Sequence, residues 1–280
     1  MSEFSASEFS ACFLLVFGQL AVGGLAALAV PPFAVLERGF YKSSAGVFVG
    51  CAVLYLGGTV DLALRDLALR GRTPIGRGEI ALWSAFTIAQ AAYLASLWGE
   101  VARRRARTFS LALLLGLVAL SVSASRYRME PLLSPATVLY PLAFVTGALA
   151  LGAVATGMLL GHWYLIDLGL SLEPMRRLFR YFVTVVVTHL GVLTVTILVM
   201  ALAPGGAVAV GMLWRDHALL LAARFVLGPL AVLGVGFMIH RTLEIPQTMA
   251  ATGLFYIAIL FVLVGELLGR LILFRTSLPL

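Results

Sequence analysis

The chain has 280 residues, 61% of them hydrophobic and only 12% charged, with a mean hydropathy of +1.02. A soluble domain carries about 25% charged residues. A water-soluble globule is therefore excluded, and residues 1–280 read as one all-α integral membrane domain. The net charge of +7 sits in short connections between apolar runs, which is how topology signals facing anionic lipid are arranged and not how a nucleic-acid-binding face is built.

Crossing roughly 30 Å of hydrocarbon takes about 20 apolar residues. Windows of that length give eight spans, near 11–35, 45–66, 79–99, 108–125, 136–163, 181–203, 217–240 and 247–272. The runs are too long for barrel strands and do not alternate, so they predict a helical bundle. The stretch before the first span, Met1-Ser-Glu-Phe-Ser-Ala-Ser-Glu8, lacks the basic region of a signal peptide, so that span is expected to be retained. Cys12 and Cys51, in the first and second spans, match no metal or redox spacing and read as small buried hydrophobes. Pro31-Pro32 and Pro229 are expected to kink the first and seventh helices. Gly157/Gly161 in the fifth span and Gly265/Gly269 in the eighth are small-xxx-small pairs that let helix backbones approach closely.

Eight spans place both termini on one side. Arg103, Arg104, Arg105 and Arg107 share a side with Arg176, Arg177 and Arg180, against Arg65, Arg70, Arg72 and Arg77. This bias predicts that the 100–107 and 167–180 loops face the cytoplasm of a bacterial inner membrane and that the termini lie outside. The 169–180 loop reads as a positive-inside anchor, or as a docking surface for a partner.

An ionisable group in the bilayer costs roughly 2.5–3.5 kcal/mol or more, so each one is a candidate for function. Two layers emerge. His162, His189 and His240 fall toward the cytoplasmic side; Gln19, Asp61, Arg65, Arg224, Glu266 and Arg270 fall in the opposite layer. Two histidines from different helices suit the axial positions of a b-type haem, His189 with His162 or His240. Alternatively they hydrogen-bond a quinone, or His162 and His240 are merely interfacial. Asp61/Arg65 and Glu266/Arg270 are acid-before-base pairs spaced i,i+4 on one helix face. Either they are snorkelling and self-neutralised, or Gln19, Asp61, Arg224 and Glu266 line a polar cleft. There they would bind a quinone headgroup and exchange protons with it, Asp61 and Glu266 serving as the carboxylates. No HExxH, GxSxG, P-loop or CxxC occurs, so hydrolase, nucleotidase and iron–sulfur chemistry in this chain has no support.

The last span, Ala251-Thr-Gly-Leu-Phe-Tyr-Ile-Ala-Ile-Leu-Phe-Val-Leu-Val-Gly-Glu-Leu-Leu-Gly-Arg270, resembles the final helix of the DmsC/NrfD-type anchors. These are eight-helix quinone-reactive subunits of molybdopterin and related oxidoreductases. Leu14-Leu-Val-Phe-Gly-Gln-Leu-Ala-Val-Gly23 looks like that family's opening helix. The resemblance implies no bound haem or metal, an iron–sulfur partner on the membrane surface, and quinone chemistry near Gln19 and Glu266. The expectation is thus a membrane subunit of a respiratory electron-transfer complex. A b-type cytochrome, a structural or assembly subunit, and a solute transporter are the alternatives. The absence of an internal repeat weighs against the transporter.

Overall fold

The computed structural model describes residues 6–71, 73–128, 134–167, 169–203, 206–245 and 247–280. Arg72, residues 1–5, and parts of the 125–135, 204–216 and 241–246 connections fall outside the described residues. The described chain is a bundle of α1 (Ala6–Ala27), α2 (Arg38–Arg70), α3 (Arg77–Ser96), α4 (Ala102–Ser125), α5 (Ala136–Ile166) and α6 (Glu173–Leu202). There follow the short α7 (Gly206–Asp216), α8 (Ala218–Phe225), a π-helical turn (Val226–Leu230), α9 (Ala231–Glu244) and α10 (Thr248–Thr276). Seven helical segments are long and apolar enough to cross a membrane, with α8, the π turn and α9 forming one of them.

α3 lies outside that set because of where its polarity points. Its buried positions include Glu79, Trp83, Thr87, Gln90, Tyr93 and Ser96, spaced three or four apart so that they share one face. Much of that stripe is bonded within the bundle: Gln90 Nε2 donates to the Ala21 carbonyl at 3.2 Å, and Thr87 Oγ1 to the Trp83 carbonyl at 2.8 Å. Ile88, on the opposite face, is exposed.

α5 is the spine, packing against α1, α4, α6 and α10. Of its most apolar window 72% is buried, against 33% for α2 or α6. The reason is side-chain size. A Cβ on Gly152 would strike the Gly23 backbone, and one on Gly23 the Ala148 backbone, so α1 and α5 cross in backbone contact. Gly157 and Gly161 leave room for Phe255 and Thr252 of α10, as their spacing predicts, and Gly265 meets Gly228. The Gly23–Gly152 crossing, closer than either, is built on the pairs Gly23/Ala27 and Ala148/Gly152, which the expectations above do not include.

Three boundaries differ from expectation. α1 ends at Ala27, so Pro31 and Pro32 lie in the following loop and do not kink a helix. α4 begins at Ala102, which puts Arg103, Arg104, Arg105 and Arg107 on its first two turns and not in a loop. The 204–216 connection contains α7. Pro229 does mark a break: Gly228, just before it, has φ −75° and ψ −115°, outside helical values, within the π turn. Cys12 and Cys51 are buried free thiols.

Candidate functional site

Four elements bring five polar side chains together around one carboxylate in the core of the bundle. Glu266 and Arg270 stand one turn apart on α10, Gln19 on α1, His189 on α6 and Arg224 at the end of α8, each no more than 4% exposed. Arg224 Nη2 donates to Glu266 Oε1 at 2.7 Å. Gln19 Nε2 and Arg270 Nη2 donate to Glu266 Oε2 at 2.8 and 3.1 Å. Gln19 Nε2 also reaches the Phe144 carbonyl at 3.2 Å, which fixes the amide orientation. The Arg270 guanidinium lies 3.8 Å over the Phe144 ring, a cation–π contact that offsets part of its desolvation.

Glycines make this convergence possible. A Cβ on Gly147 would strike Glu266 Oε2, and one on Gly265 would come within 2.7 Å of Gly228 Cα and 3.1 Å of Arg224 Nη1. The π turn that follows Arg224 carries the break at Gly228, so this charged side chain sits beside the least regular backbone of its span.

His189 is held from both ring nitrogens. Nδ1 lies 2.8 Å from Thr146 Oγ1, whose hydroxyl donates to the Leu142 carbonyl at 2.9 Å and therefore accepts from the imidazole. Nε2 then has two partners of opposite sense, Arg224 Nη2 at 2.9 Å and Glu266 Oε1 at 3.0 Å. A neutral ring accepts there from the guanidinium; a protonated ring donates there to the carboxylate. One atom accommodates both protonation states without moving.

The cluster is unbalanced. Two guanidiniums face one carboxylate, and Arg224 Nε, Arg270 Nε, Arg270 Nη1 and Gln19 Oε1 have no partner among the described residues. The cavity beside His189, Arg224 and Glu266 is about 10 Å³, room for one water at most.

A second buried network lies toward the end of the bundle that carries the chain termini. The Glu79 carboxylate accepts from Ser123 Oγ at 2.6 Å and from Arg126 Nη1 at 3.0 Å. Trp83 Nε1 donates to Ser123 Oγ at 2.9 Å, with Tyr55 OH 3.3 Å away. Arg126 Nη2 donates to Tyr127 OH at 2.6 Å, and burial pushes the Tyr127 phenol up from its ordinary range, so it keeps its proton. Beside them is a cavity of about 340 Å³ lined by Tyr55, Thr59, Asp66, Arg126, Tyr127 and Phe274. The two networks share Phe144, which packs against Tyr127 at 6.3 Å on one side and Arg270 on the other.

Of the residues singled out from sequence, Gln19, His189, Arg224 and Glu266 meet. Asp61, His162 and His240 do not join them. Asp61 pairs with Arg65 at 2.8 Å on an exposed face of α2. His162 is exposed near the end of α5, and His240 is exposed on α9, stacked on Phe179. His189 thus belongs with the acids and arginines, not in a histidine layer. The reason is that α6 starts at Glu173, two turns before the expected span, which carries His189 deeper. These positions do not fit a bis-histidine haem: both His189 nitrogens are engaged, and the space beside it admits no macrocycle. Glu79 and Arg126 escape the sequence reading because they stand at span edges, Glu79 as the first residue of the 79–99 span and Arg126 just past the 108–125 span; the i,i+4 spacing of Glu79 and Trp83 and the i,i+3 spacing of Ser123 and Arg126 are the available signals.

Comparison of the chain with family models, with curated proteins and with solved structures finds no match.

Proposed function

We propose that this chain is a quinone-reactive membrane subunit of a respiratory electron-transfer complex, with Glu266 and His189 as its proton-holding centre. The observation that carries this reading is the double role of His189 Nε2, set between Glu266 Oε1 and Arg224 Nη2. Oxidising a quinol sheds two electrons and two protons, so its site needs buried groups that take up a proton without rearrangement. The 340 Å³ cavity falls within the size range of ligand pockets, about 300–1,000 Å³, whereas the space beside Glu266 does not. The headgroup therefore belongs in the former. There Arg126 and Tyr127, which line the cavity, donate to a carbonyl oxygen. The electrons leave to a partner subunit, an iron–sulfur protein by the DmsC/NrfD-type resemblance of the first and last helices. In this reading α3 is an eighth crossing, its polar stripe turned inward, and both termini face outward from a bacterial inner membrane.

The test is binding of a short-chain quinone analogue to the purified protein in neutral detergent, followed across pH. The wild type binds with a pH-dependent affinity. Glu266→Gln and His189→Gln flatten that dependence, and Arg126→Gln weakens binding at every pH. Absence of binding by the wild type, or an unaltered pH profile in both core variants, overturns the proposal and leaves a structural or assembly subunit as the reading.

One observation favours a second reading. The non-helical Gly228 beside Arg224 is the kind of broken span that transporters place at a substrate site. A small-anion carrier would show anion flux in proteoliposomes that Arg224→Gln abolishes.

A further inference from the structure

A third polar assembly lies at the opposite end of the bundle from the Glu79 network, and the readings above make no use of it. α6 and α9 diverge there into an open groove of about 910 Å³. Its inner wall is apolar: Phe179, Val183 and Leu233, with Gly236 adding no side chain. Its mouth carries Arg176, Arg180, Glu173, Glu244 and His240. Counted by residue type the mouth looks neutral, but its carboxylates are already committed. Glu173 accepts from Arg177 at 2.7 Å and Glu244 from Arg241 at 2.8 Å, and neither arginine lines the groove. Two carboxylates therefore stand among four arginines. Arg176 makes one long bond, to the Leu243 carbonyl at 3.3 Å, and Arg180 reaches Glu173 only at 3.6 Å.

A cationic mouth over an apolar trough, placed at the end of transmembrane helices, matches a ligand with an anionic head and a hydrocarbon tail. We propose that this groove is a specific site for an anionic phospholipid, its phosphate held by Arg176 and Arg180 and one acyl chain lying along Val183, Leu233 and Gly236. Charge complementarity selects the head, because a zwitterionic lipid brings a cationic group into a mouth that already has cations in excess. The groove's length holds the upper part of a chain. Val183 is seven residues beyond Arg176 on α6, so the trough descends about 10 Å from the mouth at 1.5 Å per residue. The planar Phe179–His240 stack, 8° from parallel, forms a flat side to the trough near the head.

The experiment uses the full-length protein in neutral detergent with phosphatidylglycerol or phosphatidylcholine of identical chains, read by native mass spectrometry and thermal unfolding. The wild type retains phosphatidylglycerol at least tenfold better than phosphatidylcholine, and its Tm rises with the former only. The Arg176→Gln/Arg180→Gln double variant loses that tenfold preference. Gly236→Leu lowers retention of the lipid while keeping the fold, since a Cβ at this position has its nearest neighbour, Phe182, at 3.7 Å. Equal retention of both lipids by the wild type shows mere annular contact and overturns the proposal. Undiminished preference in the double variant also overturns it, as does an equal Tm rise with inorganic phosphate alone, which would mark a free-phosphate site. The wild-type comparison of lipids stands even if a variant fails to fold.

Discussion

Asp61/Arg65 on α2 and Glu266/Arg270 on α10 are the same device by spacing, an acid followed by a base one turn later. Their surroundings differ completely. The first pair closes at 2.8 Å with side chains 55% and 71% exposed; the second is sealed at 1% or less and shared with Arg224, His189 and Gln19. The difference is written in the neighbouring glycines. Around Glu266, Gly147, Gly228 and Gly265 sit where any Cβ would press on a charged side chain or on another backbone. On α2, Gly46, Gly50 and Gly57 face open space, with nothing within 4 Å of a built Cβ. A glycine in a membrane helix buries a charge only where another helix comes to meet it.

Removing the central carboxylate should have the largest effect. Glu266→Leu leaves two guanidiniums buried without their anion, and truncating one partner of a buried ion pair costs about 3–5 kcal/mol. Unfolding in detergent by denaturant should show that loss; a loss under about 1 kcal/mol, the ceiling for an exposed pair, would mean that the core pair is no different from the surface one. Gly147→Ala follows, since its methyl drives Glu266 and Gln19 off their bonds, at the roughly 1–3 kcal/mol of overpacking. Gly57→Ala is its counterpart and should stabilise by about 0.5–1 kcal/mol, because the added Cβ meets nothing and relieves the entropy cost of glycine in a helix. Opposite signs for these two alanines are the sharpest form of the comparison. Ser123→Ala extends it to the second network, where Glu79 and Trp83 would each lose a partner, at about 1–3 kcal/mol.

The cluster was half legible in the sequence for a physical reason. Gln19, His189, Arg224 and Glu266 are conspicuous because each interrupts a run of hydrocarbon, and interruption can be read without knowing any neighbour. Depth cannot, since it depends on where a helix starts. α6 begins with Glu173, Arg176, Arg177 and Arg180, residues that by composition belong to a loop, so the span was counted from too late a point and His189 was set in the wrong layer. The same charged first turns hid the start of α4, and Glu79, at the start of α3, passes as the polar edge of its span. Membrane helices that extend past the hydrocarbon take their polar ends with them, and hydropathy windows trim those ends away. The bundle was legible from apolar length alone. The α1–α5 crossing was not: Gly23/Ala27 and Ala148/Gly152 are small-xxx-small pairs, but spacing along one helix does not say which pair meets which across the bundle.

The smallest expected effect falls on the pair that looked as promising as Glu266. Asp61→Asn, Arg65→Gln and the double variant form a cycle on an exposed face, where an ion pair gains little over its hydration and holds two long side chains at an entropy cost. The coupling should be under about 1 kcal/mol. Quinone-analogue affinity and its pH profile should match the wild type in all three. Dependence on Asp61 as large as that on Glu266 would require α2 to turn this face toward a partner subunit, since the isolated chain leaves it open. Repeating the cycle at high and low salt separates the cases: an exposed pair weakens as salt screens it within a Debye length of about 10 Å at 0.1 M, and one covered by a partner weakens much less.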